Sequence, residues 1–219
     1  MTARARYLEG ARLIAPIGVA AAAFSLSFGV LARTAGMGWA APLVMSATTF
    51  AGSAQFAVAS VLGSAGSAVA AIGAAAMLNA RYAPIGISIA PKFEGSLPRR
   101  LLESQLIVDE SWAMTLRRKG GFDIRVFVGA GVVLYVCWNV GTVIGLLLGN
   151  VIGDPNRIGL DAAFAALFLA LLIPQLRSRR EVSAALLGGG LALVLIPFTP
   201  AGIPIVAGAV GAVVGWRRA

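Results

Sequence analysis

Arg81 is the one charged side chain between Arg33 and Lys92: the 47 residues Thr34–Ala80 contain no Asp, Glu, Lys, Arg or His, and neither do the ten from Tyr82 to Pro91. A bilayer core takes about 20 helical residues to cross, so this stretch is long enough for two spans and places Arg81 within reach of the membrane interior. An ionisable group at that depth is a functional residue by default. Its guanidinium is a planar fork matched to a carboxylate, and Asn79, two residues earlier, can both donate and accept. Together they would receive the carboxylate of an amino acid. The structural reading of the same residue is that Arg81 pairs permanently with Asp109 or Glu110 and only pins the segment that carries them.

A second constellation lies in Phe50-Ala51-Gly52-Ser53-Ala54-Gln55-Phe56, where a helix-weakening Gly52, the hydroxyl of Ser53 and the carboxamide of Gln55 interrupt an apolar segment. Interrupted membrane helices expose backbone N–H and C=O groups in mid-bilayer, where they bind the charged ends of a substrate. In the alternative reading, Gly52 and Ser53 permit close helix packing and Gln55 bonds a neighbouring helix. Asp109 and Glu110, adjacent acids beside Trp112, are the candidates for a proton-coupling step, which needs a carboxylate whose environment changes during a cycle. On a solvated face they would be plain ion-pair partners.

Other chemistries are excluded by what is missing. The chain has one cysteine, Cys137, and no histidine, so it can form no internal disulfide and has neither the commonest metal ligand nor the usual proton shuttle. There is no nucleophile elbow, phosphate loop, zinc motif or dinucleotide fingerprint. No metal, cofactor or enzymatic activity is expected. The excess of 18 Lys and Arg over 9 Asp and Glu sits in gaps between apolar runs, which is the pattern of cytoplasmic loops and not of a nucleic-acid binder.

The elements that must position these residues are membrane helices. Hydrophobic residues make up 58% of the chain and charged ones 12%, against roughly 25% charged in soluble domains, and the mean hydropathy is +0.86. Charge-poor runs span Leu13–Ala32, Trp39–Leu62, Ser67–Pro91, Val126–Ile152, Ala162–Leu176, Val182–Ile196 and Ile203–Trp216. The expected architecture is an all-α, polytopic integral membrane protein with six or seven transmembrane helices, in one domain over residues 1–219. The first run is longer than the roughly 7 to 15 residues of a signal-peptide core, so a retained first span is expected.

Basic residues cluster before the first run (Arg4, Arg6, Arg12), between Lys92 and Arg125, after the fifth run (Arg177, Arg179, Arg180) and at Arg217 and Arg218, and the positive-inside rule makes these gaps cytoplasmic. Three full crossings before Lys92 would put its gap outside. Either the rule is violated once, or something in residues 34–91 does not cross. The preferred candidate is a re-entrant broken helix near residues 67–91, interrupted at Asn79-Ala80-Arg81. Non-helical backbone at that depth requires surrounding protein or a water-filled cavity.

Leu101, Leu102, Leu106, Val108, Trp112 and Leu116 recur at near-helical spacing among acids, predicting an interfacial amphipathic helix near residues 98–116. Gly141, Gly145, Gly149 and Gly153 repeat every four residues and predict a close helix contact, either within this chain or with another subunit; Gly211 and Gly215 offer a shorter stripe of the same kind.

In FAGSAQF (50–56), NARY (79–82), VDESWAM (108–114) and GLDAAFAALFLALL (159–172) the chain resembles the AzlC family, the large subunit of two-component branched-chain amino acid exporters (LIV-E type permeases). The resemblance runs in order from about Gly10 to Ile196. The family usually has Asn-Leu-Arg-His where this chain has Asn79-Ala80-Arg81-Tyr82, so the Asn and Arg are kept and the imidazole is not. The resemblance implies a multi-pass permease of the cell inner (plasma) membrane that exports valine, leucine, isoleucine and other neutral aliphatic amino acids. It further implies proton-gradient drive and a small hydrophobic AzlD-type subunit. Gly52, Ser53, Gln55, Asn79 and Arg81 are then the expected substrate-binding residues, with Phe50 and Phe56 beside the aliphatic side chain and Asp109 and Glu110 at the coupling step. A passive amino-acid channel and a non-transporting membrane assembly subunit are the alternatives.

Overall fold

The computed structural model describes residues 2–116, 121–152, 178–199 and 203–208, with isolated positions at 169, 172, 173 and 176. Among them all regular structure is helical: α1 (Ala3–Thr34), α2 (Ala40–Thr48), α3 (Gly52–Gly63), α4 (Ala68–Asn79), α5 (Tyr82–Ile89) followed by a 3-10 turn at Ala90–Lys92, α6 (Leu97–Ser104), α7 (Asp109–Leu116), α8 (Ile124–Ile152), α9 (Arg179–Leu195) and α10 (Ile203–Gly208). Most of the runs Ala162–Leu176 and Ile203–Trp216 and of the motif at 159–172, and the glycines at 153, 211 and 215, lie outside the described residues.

α1 and α8 are long and apolar enough to cross a membrane. At about 1.5 Å per residue, the 32 residues of α1 extend roughly 48 Å. The two helices run parallel along their whole length, joined by glycines. A Cβ on Gly10 would collide with the Val126 carbonyl, one on Gly141 with Ser25 and the Ala22 carbonyl, one on Gly145 with the Leu26 carbonyl, and one on Gly149 would lie 2.8 Å from Arg33 Cβ. Lipid tails solvate Leu and Val as well as a neighbouring helix does, so close backbone approach is what favours this pair. At Gly141, Gly145 and Gly149 the glycine stripe therefore has its partner inside the chain, and that partner is α1. At the amino-terminal ends the Asp123 carboxylate caps α8, accepting from the N–H groups of Arg125 (2.9 Å) and Val126, and accepts from Arg6 as well. Burial alone would raise its pKa; the bonds from Arg6 and the two amides outweigh that and hold it below the ordinary value.

Between these parallel spans the chain makes a hairpin, a crossing and a second hairpin. α2 starts beside the far end of α1, where Arg33 stacks on Trp39 at 5.4 Å, and descends along α8 until the Ser46 hydroxyl meets Thr142 at 2.9 Å. The chain then turns at Phe50, whose φ is +42°, and α3 climbs back: Gly52 lies against Trp138, Phe56 against Phe28, and a Cβ on Gly63 would sit 3.3 Å from Ala35 at the far end. Residues 40–63 thus enter and leave on one side.

α4 and α5 together are long and apolar enough for one span, with a 41° bend between them. α4 packs antiparallel to α3, and α5 ends at the amino-terminal side of α8, where Ile89 joins Leu106 and Phe127 and the Phe93 ring meets Phe127 at 6.1 Å. The break at Asn79-Ala80-Arg81 occurs as expected. Pro84 explains it, because it has no N–H to give the Ala80 carbonyl, which accepts from Ala83 instead (3.1 Å). In the packing, residues 40–63 start and end at the far end of α1 and α8, whereas the broken segment runs from that end to the amino-terminal one. The parity conflict disappears, since Arg4, Arg6, Arg12, Lys92, Arg99, Arg100 and Arg125 now all belong to one end, the end the positive-inside rule assigns to the cytoplasm.

The expected interfacial helix at 98–116 is two helices with a break at 105–108. Only α6 is amphipathic, with Leu97, Leu101 and Leu102 exposed and an Arg99–Glu103 pair at 2.9 Å. The tip then rises inward: Leu106 packs on Gly131, and Val108 joins the core around Phe50, Leu134 and Trp138. α7 buries Ser111 and Thr115 completely. It can do so because their hydroxyls donate to backbone carbonyls, Ser111 to Leu106 (2.8 Å) and Thr115 to Ser111 (2.8 Å). Polar residues satisfied by their own backbone defeat a reading based on hydrophobic spacing.

The described residues hold two full-length spans, or three with α4–α5 counted as one, fewer than the six or seven expected. α9 opens with a capping box, the Ser178 amide donating to Glu181 (2.6 Å) and the Glu181 amide to Ser178. α10 packs on α9 and α4.

Candidate substrate site

Three chain interruptions meet halfway along α1 and α8: the α2–α3 turn, the α4–α5 break and the α6–α7 tip. They enclose a cavity of about 130 Å³, walled by Ile17 and Phe24 of α1, Leu134 and Trp138 of α8, and Phe50 and Val108. Cavities of about 150 Å³ take up a benzene-sized molecule, so the space suits a short aliphatic side chain. Gly52, Ser53, Arg81, Tyr82, Asp109 and Glu110 supply its polar wall.

Each polar group arrives there for a local reason. The turn before α3 holds Phe50 in the left-handed region and Ala51 extended, and no side chain caps α3. A helix leaves its first backbone N–H groups without intrahelical partners, so Gly52 and Ser53, which line the cavity, bring the positive end of the helix dipole to it. Left-handed non-glycine backbone is strained and persists where the surroundings over-determine it. Here Tyr135 meets the Phe50 ring edge-on at 5.1 Å and donates its hydroxyl to the Ala47 carbonyl (2.9 Å). Gln105, at the tip of the other hairpin, donates to the Thr48 carbonyl (2.6 Å), tying the two hairpins together.

Arg81 reaches across all three interruptions. Its Nη2 donates to Ser53 Oγ at 2.8 Å, lies 3.0 Å from Asp109 Oδ2 and 3.3 Å from the Tyr82 hydroxyl, while the guanidinium stacks on the Tyr82 ring at 5.2 Å. The side chains of Arg81 and Asp109 are both 40% exposed, so a solute can reach the pair. Arrayed along one cavity are a helix N-terminus, a cation, a carboxylate pair at the start of α7 and an apolar wall. That arrangement can divide the charges of a zwitterion, with its carboxylate toward the donors and its ammonium toward Asp109 or Glu110.

Of the residues singled out in the sequence, Gly52, Ser53, Arg81, Asp109 and Glu110 come together here. Gln55 does not line the cavity. It is fully buried and donates to Ser46 (2.8 Å), which bonds Thr142, which donates to the Trp138 carbonyl (2.9 Å), a polar strut tying α2 and α3 to α8. Asn79 is also outside the lining; it ends α4 with a buried Oδ1 that has no hydrogen-bond partner among the described residues. Two walls escaped the sequence reading. Ile17 and Phe24 carry no signal in a uniformly apolar helix, but Trp138 did: tryptophan gathers at membrane interfaces, and this one sits in the middle of its run. Among the described residues no group of His, Cys, Asp or Glu could hold a metal.

The model of the family described as AzlC protein matches residues 16–152, which contain every cavity residue named above. A protein of Archaeoglobus fulgidus named as an uncharacterized membrane protein is 32% identical over 205 residues, covering 92% of this chain and 90% of its own. A Bacillus subtilis protein named branched-chain amino acid transport protein AzlC is 29% identical over 171 residues, covering 77% of this chain and 67% of its own. A membrane protein of Haemophilus influenzae is 26% identical over 179 residues, covering 78% and 71%. No solved structure matches. A family match over more than half of the chain, with a relative aligned nearly end to end, establishes that this chain belongs to the AzlC family of membrane proteins.

Proposed function

We propose that this chain is a secondary transporter that exports branched-chain and other neutral aliphatic amino acids from the cytoplasm, driven by the proton gradient and working with a small AzlD-type subunit in the inner (plasma) membrane. The observation that carries the reading is the Arg81–Asp109 pair beside the uncapped start of α3, in a cavity whose remaining walls are apolar. The B. subtilis relative, named for branched-chain amino acid transport, supports the substrate class.

In this reading the empty cavity is closed by the ion pair. An entering zwitterion takes its place, its carboxylate on Arg81 and the amides near Gly52 and Ser53, its ammonium near Asp109 and Glu110, and its branched side chain against Ile17, Phe24 and Phe50. Protonation of Asp109 or Glu110 frees Arg81 and links the cycle to the proton gradient. Gln55 and Asn79 act from behind, by holding the α3 and α4 ends in place. Proteoliposomes preloaded with labelled valine should lose it faster when this chain and the AzlD-type subunit are both present and the interior is the cytoplasmic face; unchanged efflux at every pH gradient removes the assignment.

A passive channel is the second reading, favoured by one observation: the two hairpins enter from opposite ends and meet at mid-depth, where irregular backbone also lines pores. Counterflow decides, because only a carrier is accelerated by substrate on the opposite side.

A further inference from the structure

We infer that Tyr82 is a positioning residue for Arg81: its ring keeps the guanidinium at the cavity while the Asp109 carboxylate and the carboxylate of the transported molecule exchange places on it. The inference rests on the transport reading above and assigns the group that holds the cation between its two partners. Three side chains converge on Arg81 Nη2: the Ser53 hydroxyl at 2.8 Å, Asp109 Oδ2 at 3.0 Å and the Tyr82 hydroxyl at 3.3 Å. The Tyr82 ring centroid lies 5.2 Å from the guanidinium carbon, and Arg81 and Tyr82 both line the cavity. A guanidinium Nη carries two N–H groups, so three acceptors share them, and the Tyr82 hydroxyl, the farthest, has the weakest hold. The ring is therefore the main contact that Tyr82 makes. A cation over an aromatic face within about 6 Å of its centroid is held by the ring quadrupole.

The three partners ride on different elements. Ser53 stands at the start of α3 in the first hairpin and Asp109 at the start of α7 in the second, whereas Tyr82 is the first residue of α5 and adjoins Arg81 in the chain. A transport cycle moves one element against another around a central site. Such movement changes the distances from Arg81 to the two hairpins and leaves Tyr82 beside it. The Asp109 contact is also conditional on charge: protonation of the carboxyl, or a substrate carboxylate in its place, ends the ion pair. A neutral ring has no such dependence, and it occupies none of the N–H donors that a carboxylate needs. The Arg81 side chain is 40% exposed, so with Asp109 displaced and Tyr82 removed it would keep one hydrogen bond, to Ser53, among the described residues.

Valine binding to the purified complex of the full chain and its small subunit reads this role directly. Tyr82→Leu, which removes the ring, should weaken valine binding about tenfold, the order expected for a partly desolvated cation on an aromatic face. Tyr82→Phe and Tyr82→Trp, which keep a ring, should stay within about twofold of the wild type. Isobutylamine, which is valine without its carboxylate, should bind every one of these proteins equally. In an Arg81→Ala background Tyr82→Leu should change valine affinity no further, since a residue that acts through another has no effect once that other is gone. Four results overturn the inference and leave the transport reading standing: unchanged valine affinity in Tyr82→Leu, an equal loss for isobutylamine, the same loss without Arg81, or a loss in Tyr82→Phe as large as in Tyr82→Leu. Wild-type complex that binds no valine overturns both. A series that conserves shape covers the case in which Tyr82→Leu does not fold. Phenylalanines with successively more ring fluorines at position 82 withdraw negative charge from the ring face, so valine affinity should fall stepwise along the series, and a flat series overturns the inference.

Discussion

Arg81 Nη2 stands 3.0 Å from Asp109 Oδ2 while also bonding Ser53 at 2.8 Å, so one side chain joins the break in a crossing helix to the tips of two hairpins. Arg81→Ala should lower valine efflux at least tenfold, and Arg81→Lys should recover only part of it, because an ammonium lacks the planar fork and the stacking on Tyr82. The exchange Arg81→Glu with Asp109→Arg separates structure from transport. It should restore the amount of folded protein but not the flux; full recovery of flux would make the pair a structural pin.

Labelling from each side of the membrane checks the topology. In a Cys137→Ser background, cysteines at Gly36 and Ser64 should be reached from one side and a cysteine at Ser96 from the other, the side of the amino terminus. Same-side labelling of Ser64 and Ser96 would restore the re-entrant reading of residues 67–91.

The glycine seam makes a contrast that thermal unfolding can read. Gly145→Leu drives a side chain into the Leu26 carbonyl and the Gly29 backbone, neither of which can yield as a side-chain end would. A loss of about 3 kcal/mol or failure to fold is expected. Gly189→Ala in α9 meets nothing within 4 Å among the described residues and should be neutral or stabilising by about 0.5–1 kcal/mol.

Asp123 sets the acid limit of the cytoplasmic end. A carboxyl whose pKa is lowered on folding adds stability that is fully present above its unfolded value, about 3.9, and is lost as pH falls through the lower folded value. Thermal stability should therefore decline as pH drops below about 4. Asp123→Asn keeps a helix cap but loses the charge on Arg6. Because Arg6 is 38% exposed, the loss at neutral pH should be about 1 kcal/mol or less, with a flatter response to acid. An unchanged acid response assigns the decline to another group.

Gln55→Leu should reduce melting temperature with little change in apparent valine affinity, since the carboxamide braces Ser46 and does not line the cavity. A large affinity change without destabilisation would return Gln55 to the binding surface.

Arg81 and Asp109 stood out in the sequence because charge is expensive in lipid, and Gly52-Ser53 because they interrupt an apolar run; the structure brings these residues, distant in sequence, to one cavity. What stayed hidden depended on path. Residues 40–63 and 67–91 are both mostly apolar and of nearly the same length, and only contacts such as Gly63 on Ala35 tell which of them doubles back. The α6–α7 segment was read as one interfacial helix because its apolar residues recur among acids, whereas it breaks at 105–108 and buries Ser111 and Thr115, whose hydroxyls are satisfied by backbone carbonyls. Gln55 was correctly seen as a bonding group in an apolar helix, but spacing could not say whether it faced a ligand or Ser46.

The parallel seam between α1 and α8 also dictates an order of assembly. Tyr7 touches Gly129, a residue made more than a hundred positions later, so the first helix leaves the ribosome long before its mate exists. Until α8 arrives, Ser46 lacks Thr142 and Ala47 lacks the Tyr135 hydroxyl, and the first hairpin has only Gln105 to hold its turn. A nascent chain halted before residue 124 would hold every motif of the binding site and still be unable to form it.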